Sequence, residues 1–123
     1  MLPSDHRMRR RDDFRVAVRT GVRAAGPTLV VHLAPGRGEG PVRIGLVVNR
    51  SVGAAVVRNT VRRRLRALLH QRLDRVPAGA RVVVRALPEA AGASSRRLGV
   101  DLDAAMRRAV RRAGPEATAG VGR

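Results

Sequence analysis

Residues 43–66 read Arg-Ile-Gly-Leu-Val-Val-Asn-Arg-Ser-Val-Gly-Ala-Ala-Val-Val-Arg-Asn-Thr-Val-Arg-Arg-Arg-Leu-Arg, an apolar run followed by an arginine-rich segment. The run at 42–48 favours a strand, because β-branched side chains fit a pleated surface. From Val56 to about Arg72 the apolar residues recur at helical spacing. The stretch therefore predicts a strand that leads directly into a helix, and the other elements are placed around this unit.

One side of this helix is strongly basic. At about 100° per residue, four arginines and an amide fall within about 140° of arc. They are Arg58, Asn59, Arg62, Arg63 and Arg66, and they lie opposite Val57, Val61, Leu65 and Leu68. A merely solvated face usually carries both signs of charge, but here no acid lies three or four positions away. Like-charge repulsion then costs stability in the free protein, so the face predicts binding to a phosphate backbone.

The remaining pattern predicts helix, two or three strands, helix, strand and helix. The predicted elements are a helix at 10–19 ended by Gly21, an extended piece at 22–24, strands at 28–33, 42–48 and 80–85, and a last helix that Ser94 or Ser95 caps and that runs to about Arg112. The strands at 28–33 and 42–48 are predicted to pair as an antiparallel hairpin. The Gly-rich segment 36–40 would be its loop, because no helix follows to make it a phosphate loop. Residues 1–113 are predicted to form one domain, and 114–123 a disordered tail.

The charge of the whole chain points to a polyanionic partner. Lys and Arg together number 26, all of them arginine, against nine acids, so the formal net charge is +17. Arginine suits phosphate because its planar guanidinium donates hydrogen bonds in pairs. A GC-rich genome explains the choice of arginine over lysine, but it does not explain the excess of positive charge. The composition predicts a nucleic-acid partner.

Several other classes of protein are disfavoured. Cysteine is absent, which excludes disulfides and thiolate metal sites and fits a cytoplasmic location. The N-terminal residues lack the apolar stretch of a signal peptide, and no apolar run reaches the roughly 20 residues that span a bilayer. The basic helix lacks the aromatic anchors of a membrane-surface helix. The three histidines show no metal-ligand spacing and the acids are scattered, so we expect neither a metal site nor a catalytic side chain in this chain.

Residues 43–66 resemble the hallmark segment of the bacterial ribonuclease P protein family: Arg-x-Gly on a strand, a basic pair, Gly-x-Ala-Val, then Arg-Asn-x-x-Arg-Arg-x-x-Arg on a helix. Leu2-Pro…Arg7-Met…Asp13-Phe14…Gly21 also resembles the opening of that family, and the likeness covers roughly residues 2–112. It implies an α+β fold, an α-β-β-β-α-β-α two-layer sandwich. The strand-helix-strand unit of this fold is a left-handed βαβ crossover, against the usual right-handed preference.

The resemblance also implies a function. In this family the catalytic RNA holds Mg²⁺ and cuts the 5′ leader from precursor tRNA, while the protein binds both RNAs. No stable protein partner and no membrane are required. By position, the residues that contact RNA would be Arg50, Arg58, Asn59, Arg62, Arg63 and Arg66. A cleft between the first helix and the sheet would take the leader, lined by Phe14, Val18 and Val31.

The chain departs from the family pattern at four positions. Thr60 stands where a second arginine is common, and Ser51 replaces the second residue of the basic pair. Val18 and Val31 stand where the family usually has cleft aromatics. Leader binding is therefore expected to depend more on shape and charge than on stacking. Phe14 is equally well explained as a core residue or as a stacking platform.

Two alternatives remain beside the ribonuclease P subunit. A structural RNA-binding protein of the ribosomal kind needs only the charge and the fold, but it does not need the Gly53-x-Ala-Val-x-Arg58-Asn59 unit. A DNA-binding regulator would need a base-reading recognition helix, and the strands expected on both sides of the arginine-rich helix argue against it. The sequence thus favours the ribonuclease P reading.

Overall fold

A computed structural model of the protein describes residues 11–36 and 38–114, with the side chains of 11–14 and 16 left out. Three helices and four strands follow one another in the predicted order. They are α1 (Arg11–Thr20), β1 (Val22–Ala25), β2 (Leu29–Ala34), β3 (Arg43–Val47), α2 (Ala55–His70), β4 (Arg81–Ala86) and α3 (Ser95–Ala113). Short 3-10 turns lie at Arg50–Val52, Leu73–Arg75 and Pro88–Ala90. The predicted tail lies outside the described residues except for Gly114.

The four strands form one mixed sheet in the order β1-β2-β4-β3. Strand β2 pairs antiparallel with β1 and β4, whereas β3 pairs parallel with β4. The predicted hairpin between β2 and β3 is therefore wrong, because β4 lies between them. The run Val82-Val83-Val84 explains this, since it is buried on both faces and such a strand belongs in the middle of a sheet.

The β3–α2–β4 connection is left-handed, and the chirality of L-residues shows it. Seen from the α2 side with β4 running upward, Ala80, Val82 and Val84 point at the viewer, so their backbone groups point right. The Ala80 carbonyl accepts a hydrogen bond from the Arg43 amide (2.9 Å), which puts β3 to the right of β4. Leu87 has the opposite parity, so its amide points left, where it donates to the Thr28 carbonyl (2.8 Å) next to β2. The chain thus moves leftward through α2 to β4, which confirms the expected crossover.

The main core lies between the sheet and the two long helices. Val31 and Leu33 of β2 and Val82 and Val84 of β4 pack there against buried leucines and valines. On α2 these are Val61, Leu65 and Leu69, and on α3 they are Leu98 and Leu102. Burying each such side chain stabilises the fold by about 1.5–3 kcal/mol before entropy is counted. The sheet, α2 and α3 form the predicted two-layer sandwich.

Helix α1 lies on the opposite face of the sheet. Its Ala17 packs with Ala34 of β2 and Val83 of β4, and Val18 and Val47 border this small cluster. Ala17 and Ala34 allow a close approach, because neither side chain extends beyond one methyl group. These alanines therefore let α1 lie close to the sheet.

Helix α3 begins as the sequence predicts. The Ser94 hydroxyl accepts a hydrogen bond from the Arg97 amide at 3.0 Å, which satisfies one of the free amides of the first turn. Asp101, buried on the same helix, accepts from the Thr28 hydroxyl (2.8 Å) and from Arg97 Nε (3.0 Å). This network fixes α3 to the β1–β2 turn.

Candidate nucleic-acid interface

The turn that leads from β3 into α2 places Arg50 on the surface. Val52 of this turn is buried and anchors it, while Arg50 and Ser51 are exposed. Gly53 has a φ of 150°, a conformation that residues with a side chain rarely adopt. Gly53 therefore lets the chain turn between the 3-10 segment that contains Arg50 and the start of the basic helix.

The five predicted residues of α2 are presented to solvent to different degrees. Asn59 and Arg63 are exposed, whereas Arg58, Arg62 and Arg66 are half-buried. Arg62 donates from Nη1 to Asn59 Oδ1 at 2.9 Å, which holds one guanidinium beside the exposed amide. Arg58 Nε is buried and has no hydrogen-bond partner within the described part of the chain. This helix contains no Asp or Glu, so the face carries charge of one sign.

Arg64 lies on another side of α2 and has a structural role. Its Nη1 donates to the Ala93 carbonyl at 2.6 Å and so ties α2 to the segment before α3. The Ala54 side chain offers no cap to the first turn of α2. Val56, in that turn, is 78% exposed, and it adds an apolar spot beside Asn59 and Arg63.

The leader-cleft residues are divided between the two faces of the sheet. Val18 is half-buried beside the small cluster of Ala17, Ala34 and Val83 on the α1 face. Val31 does not line that face, because it is 1% exposed and packs in the main core with Val82 and Leu33. Adjacent residues of a strand point to opposite faces, so His32 takes the place that the sequence reading gave to Val31. The Phe14 side chain lies outside the described residues.

His32 is surrounded by positive charge on the α1 face. It pairs across the sheet with Arg23 of β1, and Arg85 of β4 lies one diagonal step away, opposite Val30. Burial, followed by the charges of Arg85 and Arg23, lowers the pKa of His32 from its ordinary 6.5. His32 Nε2 and Arg85 Nε are both buried without a hydrogen-bond partner in the described regions.

Two further arginines face the same way. Arg43 of β3 and Arg81 of β4 are register partners and share the parity of Arg85 and Val83. The face beside α1 thus combines arginines from three strands with one histidine, and the sequence reading missed this set. The signal that could have found it is the spacing of Arg81 and Arg85, which are four positions apart on one strand and so share a face.

The described residues offer no metal site built from three or more His, Cys, Asp or Glu side chains. No helix in the described ranges is long and apolar enough to cross a membrane. On the described residues, the α2 face and the α1 face of the sheet both present guanidinium groups, whose planar donors suit phosphate oxygens.

The chain is similar to members of one known protein family. A family model described as Ribonuclease P matches residues 2–110. The chain is 53% identical over 116 residues to the ribonuclease P protein component of Streptomyces bikiniensis, covering 88% of this chain and 94% of that protein. It is 52% identical over 111 residues to that of Mycobacterium sp. strain KMS, covering 89% and 93%.

Solved structures share the fold. The RNase P protein of Staphylococcus aureus superposes with a TM-score of 0.75 at 22% identity, covering 85% of this chain and 94% of that one. The Thermotoga maritima protein gives 0.71 at 24% identity, covering 83% and 96%. With a family match over almost the whole chain and relatives above 50% identity, the chain belongs to the ribonuclease P protein family.

Proposed function

We propose that this chain binds the catalytic RNA of ribonuclease P through the α2 face and assists removal of the 5′ leader from precursor tRNA. The observation that carries the proposal is the one-signed α2 face in a member of this family. Asn59 and Arg63 are exposed on it, and Arg62 is held at 2.9 Å from the Asn59 amide oxygen. Guanidinium groups so placed suit the phosphate backbone.

The single-stranded leader is proposed to lie on the sheet face beside α1. Val18 offers apolar contact there, and Arg23 and Arg85 offer a cationic floor. The buried, unpartnered Nε2 of His32 is a hydrogen-bond acceptor when the ring is neutral and its proton is on Nδ1. Binding would then rest on charge and shape with at most one aromatic, Phe14.

The chemistry is proposed to belong to the RNA. Mg²⁺, held mainly by the RNA subunit, would activate water and stabilise the leaving oxygen. The described residues of the protein supply no carboxylate cluster that suits such an ion. The work of the chain is therefore to bind and orient the RNA, and to neutralise phosphate repulsion between the catalytic RNA and the substrate.

The test is cleavage of a precursor tRNA by the cognate ribonuclease P RNA at low Mg²⁺, with and without this protein. We expect the protein to restore correct 5′ cleavage. Binding to RNA without any stimulation would support a purely structural RNA-binding protein instead.

A paired variant tests the α2 face. Arg62→Gln/Arg63→Gln should reduce stimulation and lower the salt slope of binding by about two units, since about 0.7–0.9 units are lost with each phosphate contact. The matched control is Arg96→Gln, which removes one exposed charge elsewhere. An unchanged slope in the double variant would count against the role of α2.

A further inference from the structure

A second cationic surface lies at the edge of the sheet farthest from β3. It consists of Arg108, Arg111 and Arg112 in the last two turns of α3, beside the backbone of β1, and we call it the β1–α3 edge. Arg111 and Arg112 are exposed, and Arg108 is half-buried. None of these residues belongs to the α2 face.

Two of these arginines are held in place by the backbone of the edge strand. Arg108 Nη2 donates to the Ala25 carbonyl at 2.5 Å, and Arg112 Nη1 donates to the Arg23 carbonyl. Each bond uses one N–H of a guanidinium that has five. The remaining donors stay at the rim of the sheet, so less side-chain entropy is lost when a phosphate binds there.

The acids of α3 do not neutralise this surface. Asp101 is buried and accepts from Thr28 and Arg97. Asp103 faces α2, where Arg72 Nε donates to it at 2.6 Å and Arg75 Nη1 at 2.8 Å. Both carboxylates are therefore engaged elsewhere, and neither offsets the positive charge of the β1–α3 edge.

The β1–α3 edge and the α2 face lie on different elements. Strands β1 and β3 are the two edges of the four-stranded sheet, and three spacings of about 4.8 Å separate them by roughly 14 Å before side chains are added. Helix α2 follows β3 in the chain, whereas Arg108 and Arg112 bond to the backbone of β1.

We propose that the β1–α3 edge is a second RNA-binding surface, which contacts the phosphate backbone of a base-paired segment while α2 contacts another. This inference rests on the proposed function, because it assumes an RNA partner. A base-paired segment is favoured because the surface offers three guanidinium groups and none of its residues is an aromatic on which unpaired bases stack. Arg108 and Arg112 are one helical turn apart, about 6 Å along the axis, and so form a row that suits successive phosphates.

The experiment compares two single variants of the full chain. Arg111→Gln removes a charge from the β1–α3 edge, and Arg96→Gln removes one from the first turn of the same helix, about 22 Å away along its axis. Binding to an RNA hairpin with a long stem is measured across salt concentrations. We expect R111Q to lower the salt slope by about 0.9, R111Q/R112Q to lower it about twice as much, and R96Q to leave it unchanged.

An unpaired RNA serves as the second probe. An oligouridylate of the same length should show no difference between R111Q and R96Q. Equal slopes for these two variants on the hairpin would overturn the proposal, because the edge would then act only through net charge. An R111Q loss as large on oligouridylate as on the hairpin would overturn the assignment to base-paired RNA.

The same variants separate this inference from the proposed function. If the wild-type protein stimulates cleavage of precursor tRNA but R111Q and R96Q bind the hairpin alike, only the β1–α3 inference fails. If R111Q lowers the salt slope of hairpin binding and R96Q does not, but the wild type never stimulates cleavage, the proposed function fails. The assignment of the β1–α3 edge as an RNA-binding surface is then retained. Thermal unfolding, followed by circular dichroism, should show that each variant is folded.

Discussion

At the scale of single residues, His32 couples the electrostatics of the α1 face to folding. Burial and the neighbouring charges of Arg85 and Arg23 lower its pKa, so the folded protein disfavours the imidazolium form. In the unfolded chain these constraints are absent, and the histidine takes up a proton near its ordinary pKa of 6.5. Protonation therefore stabilises the unfolded state relative to the native state.

We predict that stability falls as the pH drops below about 6.5, the ordinary pKa of histidine. The contribution of His32 is fully present above that pH and is lost toward the lower pKa of the folded state, with a slope of at most about 1.4 kcal/mol per pH unit. Urea unfolding of the wild type between about pH 7.5 and pH 5 measures this dependence. The two limits lie about one unit or more on either side of the ordinary histidine pKa. The substitution His32→Gln should flatten the dependence of stability on pH. The control substitution His70→Gln, at an exposed position, should not. Equal profiles for all three proteins would contradict the assignment.

A one-residue step along β2 decides which side chain faces the proposed leader. Val31 and His32 are neighbours, yet Val31 packs in the main core and His32 lies on the α1 face. The sequence resemblance located the strand, but it did not fix the parity of the strand relative to α1. The exposed pair Asn59 and Arg63 of α2 could be predicted, because helical periodicity there is long and regular.

At the scale of elements, the junction of α1 and β1 depends on close backbone contact. A Cβ atom at Gly21 would lie 2.4 Å from the Ala17 carbonyl oxygen and 2.5 Å from that of Leu33. Gly21 does not have a positive φ. It was predicted to end the helix, and it does follow α1, but its hydrogen side chain is needed for space and not for a left-handed cap.

We predict that Gly21→Ala destabilises the protein by about 1–3 kcal/mol, the usual range for overpacking, because backbone atoms must move. Gly26→Ala is the matched control, since a Cβ there would have its nearest neighbour at 3.6 Å. Chemical unfolding of both variants measures the difference. A Gly21 variant as stable as the Gly26 variant would show that α1 can shift away from β2 at little cost.

The elements themselves were largely predictable, whereas their pairing was not. Ser94 caps α3, and α2 spans Ala55–His70 close to its predicted bounds. These features depend on local sequence. Strand pairing depends on which strand is most completely buried, and the Val82-Val83-Val84 run inserted β4 between two strands that are consecutive in the chain.

At the scale of the whole molecule, a formal charge of +17 opposes compaction. The described ion pairs involve few of the arginines and concentrate on Asp101 and Asp103. Asp103, bonded by Arg72 and near Arg75 and Arg107, has a pKa below its ordinary 3.8. A net positive charge of this size is screened by salt and neutralised by a polyanion.

We predict that the free protein gains thermal stability as sodium chloride rises from about 0.05 to 0.5 M, because the Debye length shortens and self-repulsion is screened. The cognate RNA should raise the unfolding midpoint further at low salt, since it binds the native state. Calorimetry at several salt concentrations measures both effects. A midpoint independent of salt would mean that self-repulsion is not a main cost of folding.

Because β4 lies in the middle of the sheet, the order of synthesis matters. During synthesis, β2, β3 and α2 leave the ribosome before β4. Until β4 has emerged, the backbone groups of β2 and β3 that pair with it have no strand partner. During that interval the arginine-rich helix α2 has emerged, but the strand β4 against which its apolar side packs has not. The helix is then close to the RNA of the ribosome itself. Completion of residues 81–86 is then the step that closes the sheet, and a pause in translation just before them would prolong the exposure of the unpaired edges of β2 and β3.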